Sequence, residues 1–415
     1  MSDIRETAAA SRQASRILAA TSGAQRTATL HAIAKGLRDN SAKIIAANKL
    51  DLDAGKDAGL EPSFMDRLML NEDRVEAMAV AVEEIAAQTD PIGSADSSIV
   101  LPNGLRVTRE RIPLGVVAVI YEARPNVTSD AAALAIRSGN AIILKGGSAA
   151  SHSNAAVGEV VANAIASSGL PKASATVLTT RDRSEITELL KLDDLIDVVI
   201  PRGGEGLIRF VAENSRIPVI KHYKGVCHLY LDKDADAEMA KAIALNGKVQ
   251  RPSVCNTVET LLVHQDAAEK LLPPIIEELQ ANGVTIHGCE RTQKLGKDIV
   301  PATESDWEAE YLSLDIAIRV VDDIDAAIEH IQRYNSDHTE AIISDNIGAT
   351  QTFRSRIQSS CVMINASTRF ADGGQLGLGA EIGISTSRLH AYGPMGAEGL
   401  TTLRFVVEGQ GQVRS

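Results

Sequence analysis

The stretch Gly115-Val-Val-Ala-Val-Ile-Tyr121 is a continuous apolar run, which predicts a strand buried on both faces. A helix is predicted over 129–138, and a second apolar run follows at Ala141-Ile-Ile-Leu-Lys145. Further strands are expected at 177–179, 197–200 and 218–220, separated by helices at 154–168, 183–192 and 206–214. Strands that alternate with helices form parallel sheets covered on both faces. We therefore predict a doubly wound α/β domain that binds ligands at the carboxyl ends of its strands.

The flanking sequence predicts three further parts. Residues 4–87 have apolar side chains at helical spacing, which indicates a helical layer. Asn103-Gly104 joins two β-patterned runs within 98–109 and predicts a hairpin. Between residues 230 and 364 the alternation of strand and helix resumes, so a second α/β domain is expected. The β-patterned run 400–407 is expected to pair with the hairpin or with another subunit.

Composition excludes several classes of protein. A chain of 415 residues is long enough for two or three domains. Its four cysteines form no CxxC pair, which argues against a disulfide framework or a cysteine-based zinc site and favours a reducing compartment. The net charge of −12 argues against nucleic acid or an anionic membrane as the main partner. With no signal-like or membrane-spanning apolar segment, we expect a soluble, cytoplasmic protein.

Cys255 lies where a helix over 234–246 gives way to a strand over 257–263. Loops held by a rigid scaffold commonly display nucleophiles, and a thiolate is a strong one near neutral pH. A buried, inert cysteine is the alternative, because free cysteine is among the most buried residue types. The stretch alone leaves both interpretations open.

Three loops after predicted strands carry polar groups suited to one crevice. Asn126 follows the first strand and could donate its amide to an oxyanion, although capping of the next helix is an alternative. The turns Lys145-Gly146-Gly147 and Gly203-Gly204 could hold ribose and phosphate groups, although such turns are also common for structural reasons. His330 and His338 flank a helix end, where capping is a more ordinary role than metal ligation. No metal site is predicted.

Taken in order, these residues and Cys255 resemble the aldehyde dehydrogenase superfamily along nearly the whole chain. The closer resemblance is to the members that reduce γ-glutamyl phosphate in proline biosynthesis. It rests on Tyr121-Glu-Ala-Arg-Pro-Asn126, Leu144-Lys-Gly-Gly147, Pro201-Arg-Gly-Gly204, the run from Ala327 to Ile342, Val362-Met-Ile-Asn-Ala-Ser367, and Arg388-Leu-His390 with Gly393-Pro-Met-Gly396.

The resemblance implies a Rossmann-type cofactor domain, an α/β catalytic domain and a β oligomerisation arm. The corresponding ranges are 1–97 and 115–229 for NADP binding, 230–364 for catalysis, 98–114 and 385–415 for the arm, and 365–384 for a segment returning to the cofactor domain. A homo-oligomer, either a dimer or a tetramer, is expected.

The resemblance also implies the chemistry. Cys255 would attack the acyl carbon of L-glutamate 5-phosphate, phosphate would leave, and hydride from NADPH would reduce the thioester to the semialdehyde. Asn126 and the Cys255 backbone N–H would hold the oxyanion. The implied cofactor residues are Lys145, Gly146, Gly147, Ser148, Gly203, Gly204 and, by a looser match, Glu310. The candidate substrate residues, without individual roles, are Arg124, Arg251, Asn365, Ser367 and Arg369.

Two departures from the superfamily pattern bear on mechanism. His222-Tyr-Lys-Gly225 stands where hydrolytic members carry a glutamate base, which favours phosphate over water as the acyl partner. Ser148 stands where many NAD-preferring members carry a glutamate, which favours NADP(H) because a carboxylate would repel the 2′-phosphate. The alternatives are a non-phosphorylating aldehyde dehydrogenase with His222 as base, and a catalytically silent scaffold that holds an upstream glutamate 5-kinase.

Overall fold

The computed structural model describes residues 4–122, 124–179 and 183–414. Residues 1–3, 123, 180–182 and 415, which fall within some of the predicted ranges, lie outside the described residues. The chain divides into two compact units, of which unit 1 comprises Met1–Lys221, Gly377–Gly383 and Pro394–Ser415. Unit 2 comprises His222–Leu376 and Ile384–Gly393. The first division falls between residues 221 and 222, earlier in the chain than the predicted boundary at 229/230.

The first part of the chain contains nine helices and six strands within its described residues. They are α1 (Ile4–Ala20), α2 (Gly23–Asp39), α3 (Ser41–Asp57), α4 (Pro62–Leu68), α5 (Glu72–Ala87), β1 (Ala95–Val100), β2 (Arg106–Pro113), β3 (Val116–Tyr121), α6 (Asn126–Arg137), β4 (Ala141–Lys145), α7 (Ser151–Ser167), β5 (Ala175–Val177), α8 (Arg183–Leu189), β6 (Val198–Arg202) and α9 (Glu205–Asn214). The predicted helical layer and the strand–helix alternation are confirmed.

The remaining elements follow in the same alternating manner. They are β7 (Cys227–Leu231), α10 (Ala237–Val249), β8 (Val258–His264), α11 (Gln265–Ala281), β9 (Thr285–Gly288), α12 (Glu290–Gln293), β10 (Val300–Pro301), α13 (Glu304–Trp307), β11 (Asp315–Val321), α14 (Ile324–Tyr334), β12 (Thr339–Ile343), α15 (Ile347–Arg356), β13 (Cys361–Ile364), β14 (Gly383–Ser385), β15 (Gly393–Met395) and β16 (Thr401–Glu408). The strands β14 and β15 lie where the chain passes from one unit to the other.

Unit 1 contains a parallel sheet in the order β5-β4-β3-β6. Every residue of β3 and β4 is buried, which explains why both strands are continuous apolar runs. The strand expected at 218–220 forms only an isolated bridge between Val219 and Val199. Pro218 has no N–H to donate, so the ladder does not extend there. The loops after β3, β4 and β6 leave the same edge of the sheet.

A separate antiparallel sheet has the order β1-β2-β16. The pairing of β1 with β2 confirms the hairpin predicted around Asn103-Gly104. The terminal strand β16 pairs with β2 along its whole length, from Thr401 opposite Pro113 to Glu408 opposite Arg106. The first of the two expected pairings of the terminal run is therefore confirmed.

Unit 2 contains a seven-stranded parallel sheet in the order β10-β9-β11-β8-β7-β12-β13. All seven residues of β8 are buried, and α10 and α11 pack against this strand. Helix α10 begins at Ala237 because the side chain of Asp236 accepts the Met239 N–H at 2.8 Å. The segment 250–257 thus connects the end of α10 to the central strand β8. Within the described residues, no helix is long and apolar enough to cross a membrane.

Candidate active site

Cys255 lies in the loop between α10 and β8, and its free thiol is half-buried. Thr257 anchors this loop, since its N–H donates to the Val254 carbonyl at 3.1 Å and its hydroxyl to the Arg251 carbonyl at 2.8 Å. Thr368 anchors it from outside, because its hydroxyl donates to the Asn256 carbonyl at 2.6 Å. The backbone that carries the thiol is therefore held on both sides of Cys255.

Two residues lie close to the carbonyl of Cys255: Gly225, just before β7, and Cys227, the first residue of β7. The Cys227 thiol donates to this carbonyl oxygen at 3.2 Å, and burial raises the pKa of Cys227 well above its ordinary value, which keeps the thiol protonated as a donor. Gly225 lies so close that a Cβ at this position would overlap the same oxygen. The Gly225 N–H donates to Glu310 Oε1 at 2.8 Å. Glu310, a predicted cofactor residue, thus fixes the backbone on which the Cys255 loop rests.

Two predicted substrate residues bring positive charge to this loop. Burial lowers the pKa of Arg369, and the neighbouring charges that act on it include Asp372, Arg251 and Cys255. Arg369 Nε donates to the side chain of Gln250 at 3.0 Å, which ties the guanidinium to the end of α10. Arg251 is exposed. Two guanidinium groups near a thiol suit an anionic substrate.

The other two candidate substrate residues of unit 2 bond to the protein itself. Asn365 adopts a left-handed backbone (φ 52°), accepts the Ser344 N–H at 2.9 Å and donates to the Ser344 carbonyl at 3.1 Å. The Ser367 hydroxyl oxygen accepts the Arg369 N–H at 3.3 Å. These contacts shape the segment that presents Thr368 and Arg369 to the Cys255 loop.

The histidine side chains make contacts other than the helix capping suggested by their positions in the sequence. His222 Nδ1 is 3.1 Å from the Ile384 carbonyl oxygen, and its ring meets that of His338 edge-on. Capping by His330 or His338 is wrong: the Asn335 amide donates to the last turn of α14, while His330 accepts from Arg319 inside the protein. Among the residues described, no cluster of three His, Cys, Asp or Glu side chains could hold a metal ion.

A buried ion pair that sequence reasoning missed spans the Cys255 loop. Lys248 in the last turn of α10 contacts Glu259 in β8, with 2.6 Å between Nζ and Oε2, and both side chains are fully buried. Burial lowers the pKa of Lys248 and raises that of Glu259 to about 7. The sequence signal is a glutamate, Glu259, within an apolar and β-branched run, since Lys248 has polar neighbours. The pair joins the helix that enters the loop to the strand that leaves it.

Replacing Lys248 with methionine is expected to destabilise the protein by about 3–5 kcal/mol, because Glu259 would remain as an uncompensated buried carboxylate. Chemical denaturation measures the loss. Lys241→Met is the matched control, since Lys241 lies on the same helix in a surface pair with Glu238. The double variant Lys248→Met, Glu259→Leu should recover most of the stability. Equal stability of Lys248→Met and Lys241→Met would contradict the assigned role.

In unit 1, Lys145 ends β4 with its side chain buried, and Nζ donates to the Gly146 carbonyl at 2.9 Å. Burial lowers the pKa of Lys145, although the charge of Glu185 acts in the opposite direction. The residues that follow, Gly146, Gly147 and Ser148, line a small cavity together with part of α7 and the end of β5. The ammonium group therefore lies beside a turn that exposes backbone rather than side chains.

The turn at Gly203 and Gly204 already holds an anionic group. The Gly204 N–H, at the start of α9, donates to Glu122 Oε2 at 3.2 Å. A Cβ at Gly203 would lie 2.6 Å from the Glu122 carboxyl carbon, so the Glu122 side chain would have to shift if this residue were not glycine. The carboxylate shows that the turn accepts anionic oxygen, as the beginning of a helix favours. Glu122 was not predicted, although it lies within the motif that ends at Asn126.

Asn126 is the first residue of α6 and is exposed. The N-cap of α6 is Pro125 rather than Asn126, so the capping alternative is wrong; the Asn126 Nδ2 instead donates to Asp130 Oδ2 at 2.9 Å. Arg124, the remaining substrate candidate, precedes it by two residues, with its N–H donating to the Glu122 carbonyl. The predicted residues of unit 1 therefore gather after β3, β4 and β6, and those of unit 2 around Cys255.

Comparisons with known proteins identify the family and the fold of the chain. Residues 1–296 match the aldehyde dehydrogenase family. The chain is 52% identical over 412 residues to the γ-glutamyl phosphate reductase of Desulfatibacillum aliphaticivorans, covering 99% of each chain. It is 49% identical over 411 residues to that of Xanthomonas campestris pv. campestris, again covering 99% of each. The crystal structure of γ-glutamyl phosphate reductase from Thermotoga maritima superposes with a TM-score of 0.96 at 43% identity, covering 99% of this chain and 100% of that one.

Proposed function

The chain belongs to the aldehyde dehydrogenase family, and on that premise we propose that it reduces L-glutamate 5-phosphate to L-glutamate 5-semialdehyde and phosphate with NADPH. This is the second step of proline biosynthesis from glutamate. The relatives near 50% identity over the full length carry the name of this reductase. The observation that carries the proposal is the anchored loop of Cys255 beside two arginines.

The residues of unit 2 suit an acyl phosphate. The Cys255 thiolate attacks the γ-acyl carbon, the C–O bond to phosphate breaks, and phosphate leaves with the bonding electrons. The guanidinium groups of Arg251 and Arg369 favour the phosphate and α-carboxylate of such a substrate. Asn126 and the Cys255 N–H donate to the carbonyl oxygen as it gains negative charge. The thioester is then reduced, and the thiolate is expelled as the aldehyde forms.

The enzyme uses a nicotinamide cofactor, as its family does, and the cofactor supplies the hydride. The residues present fit that group: Lys145 offers an ammonium beside a backbone turn, and the Gly203-Gly204 turn accepts anionic oxygen from Glu122. We assign the adenosine ribose to Lys145 and Ser148, and the pyrophosphate to the Gly203-Gly204 turn. The nicotinamide ribose is assigned to Glu310.

Semialdehyde oxidation in the reverse direction tests the proposal. With NADP⁺ present, the reaction should require phosphate or arsenate, because no carboxylate base stands at His222-Tyr-Lys-Gly225 to activate water. Formation of glutamate at the same rate without either anion would instead support the non-phosphorylating alternative with His222 as base. A coupled assay with glutamate, ATP and a glutamate 5-kinase measures the forward direction, and pull-down of that kinase tests whether the two enzymes bind.

Ser148→Glu should shift cofactor preference from NADPH towards NADH by about tenfold or more in kcat/KM, since the new carboxylate would face the 2′-phosphate. Steady-state kinetics with each cofactor measures the shift. Ser167→Glu adds the same charge at the exposed end of α7 and should leave the preference unchanged. An unchanged preference in Ser148→Glu would remove Ser148 from the 2′-phosphate site.

We also propose that the β1-β2-β16 sheet is an oligomerisation arm. Its two edge strands expose large apolar side chains, namely Ile99 and Val100 on β1 and Phe405 and Val407 on β16. Unpaired strand edges with exposed apolar side chains favour pairing with a second copy. Sedimentation equilibrium should therefore give the mass of a dimer or a tetramer.

A further inference from the structure

We propose that Asp130 is a positioning residue that holds the Asn126 amide with its nitrogen, rather than its oxygen, available to the reacting carbonyl. The inference rests on the oxyanion role proposed for Asn126 and adds a residue that acts through it. Asp130 lies one helical turn after Asn126 on α6, so their side chains occupy the same face.

The contact itself fixes one orientation of the amide. Asn126 Nδ2 donates to Asp130 Oδ2 at 2.9 Å, which leaves the second N–H of this nitrogen for another acceptor. An ionised carboxylate only accepts hydrogen bonds, so the flipped amide would turn Oδ1 against Oδ2 and lose the bond. Asn126 is exposed, and the N-cap of α6 is Pro125, so the contact with Asp130 is the bond that orients the amide. The charge on Asp130 therefore selects the donor end of the amide.

Asp130 is in turn held by its surroundings. The Ser129 hydroxyl donates to the Asn126 carbonyl at 2.9 Å and lies 3.2 Å from Asp130 Oδ1. Arg202 of β6 is the cation whose charge acts on Asp130, and it bonds to Glu381 at 3.3 Å. From β3, the Tyr121 hydroxyl contacts Thr128 rather than Asp130. Arg202 directly precedes the Gly203-Gly204 turn, so the support of the oxyanion amide is built next to the pyrophosphate residues.

Protonation of Asp130 removes the preference for one orientation of the Asn126 amide. Burial raises the pKa of Asp130 to about 6, with hydrogen bonds from Asn126 and Ser129 and the charge of Arg202 acting in the opposite direction. Below that pH the carboxyl group can donate as well as accept, so both orientations of the amide are satisfied. Because the folded-state pKa lies above the ordinary value of 3.8, stability falls as the pH rises from about 3.8 to about 6, where Asp130 ionises in the folded protein.

The test is Asp130→Asn, whose side chain has a similar size and no charge. At pH 8, kcat should fall by about twofold, because the amide would present its nitrogen only about half of the time; this is well below the roughly hundredfold to thousandfold loss when an oxyanion donor is removed. KM for NADP⁺ should stay unchanged, the rise of kcat through pH 6 should disappear, and Tm should increase because the buried charge is gone. Asp194→Asn, which alters an exposed pair with Arg5, should change none of these.

The double variant Asp130→Asn, Asn126→Ala distinguishes the positioning role of Asp130 from the oxyanion role of Asn126 on which it rests. If Asp130 acts through Asn126, Asp130→Asn should cause no further loss of kcat in the Asn126→Ala background. Equal losses in both backgrounds, or a loss of kcat accompanied by a lower Tm, would overturn the positioning role. If Asn126→Ala alone keeps full kcat, the oxyanion role itself fails. Should Asp130→Asn not fold, Asp130→Ala, which also removes the charge, gives the same comparison.

Discussion

Cys255→Ser is expected to lower kcat by about 10⁴-fold or more, the scale seen when other enzymes lose their nucleophile. A serine hydroxyl keeps the size of the side chain but ionises far less readily than a thiol, and Arg251 and Arg369 beside the loop cannot act as bases. The half-buried position of the thiol allows an acyl group to reach it. Substrate affinity should change little, because the arginines remain.

Cys289→Ser is the matched control for this experiment. Cys289 is also half-buried and free, and its sulfur contacts the Thr292 hydroxyl at 3.3 Å, a contact that serine can reproduce. The activity of the Cys289→Ser variant should equal that of the wild-type enzyme. Mass spectrometry after mixing the wild-type enzyme with L-glutamate 5-phosphate in the absence of NADPH should find the acyl group on Cys255. Full activity of Cys255→Ser, or growth without proline in cells that carry only this variant, would contradict the mechanism, and growth would favour the scaffold alternative.

Gly225→Ala is the second substitution with a large expected effect. Its Cβ would overlap the carbonyl oxygen of Cys255, and neither backbone can yield easily, since Gly225 is bonded to Glu310 and the carbonyl to Cys227. Relief of the overlap must move the nucleophile loop. We expect kcat to fall about a hundredfold, as for a displacement near 1 Å, and the free energy of unfolding to fall by about 1–3 kcal/mol.

Gly206→Ala is the control for Gly225→Ala. A Cβ at Gly206 meets no atom within 4 Å, and the position lies in the first turn of α9, where alanine favours the helix. Denaturation curves should show equal or slightly greater stability for Gly206→Ala and a loss for Gly225→Ala. Wild-type kcat in Gly225→Ala would show that the close packing beneath Cys255 does not set the position of the thiol.

The helix boundaries show which helix starts can be predicted from the neighbouring sequence and which cannot. The helix predicted over 154–168 begins at Ser151, because the Asp51 carboxylate from α3 accepts the N–H groups of His152 and Ser153 at 3.1 and 2.7 Å. A cap supplied by a distant residue leaves no pattern in the local sequence. For α10, whose cap Asp236 is adjacent in the chain, the start could have been predicted from the residue type.

Local sequence by itself determined the buried strands β3 and β4, the hairpin and the loop that carries Cys255, because burial on both faces and turn chemistry impose patterns on consecutive residues. It also supplied the residue types that indicate acyl chemistry. Only the tertiary structure decided which groups support them: Gly225 beneath Cys255, Lys248 against Glu259, and Glu122 at the Gly203-Gly204 turn. These contacts join residues from separate elements, and their strength comes from burial and close approach, which no pattern of neighbouring residues encodes.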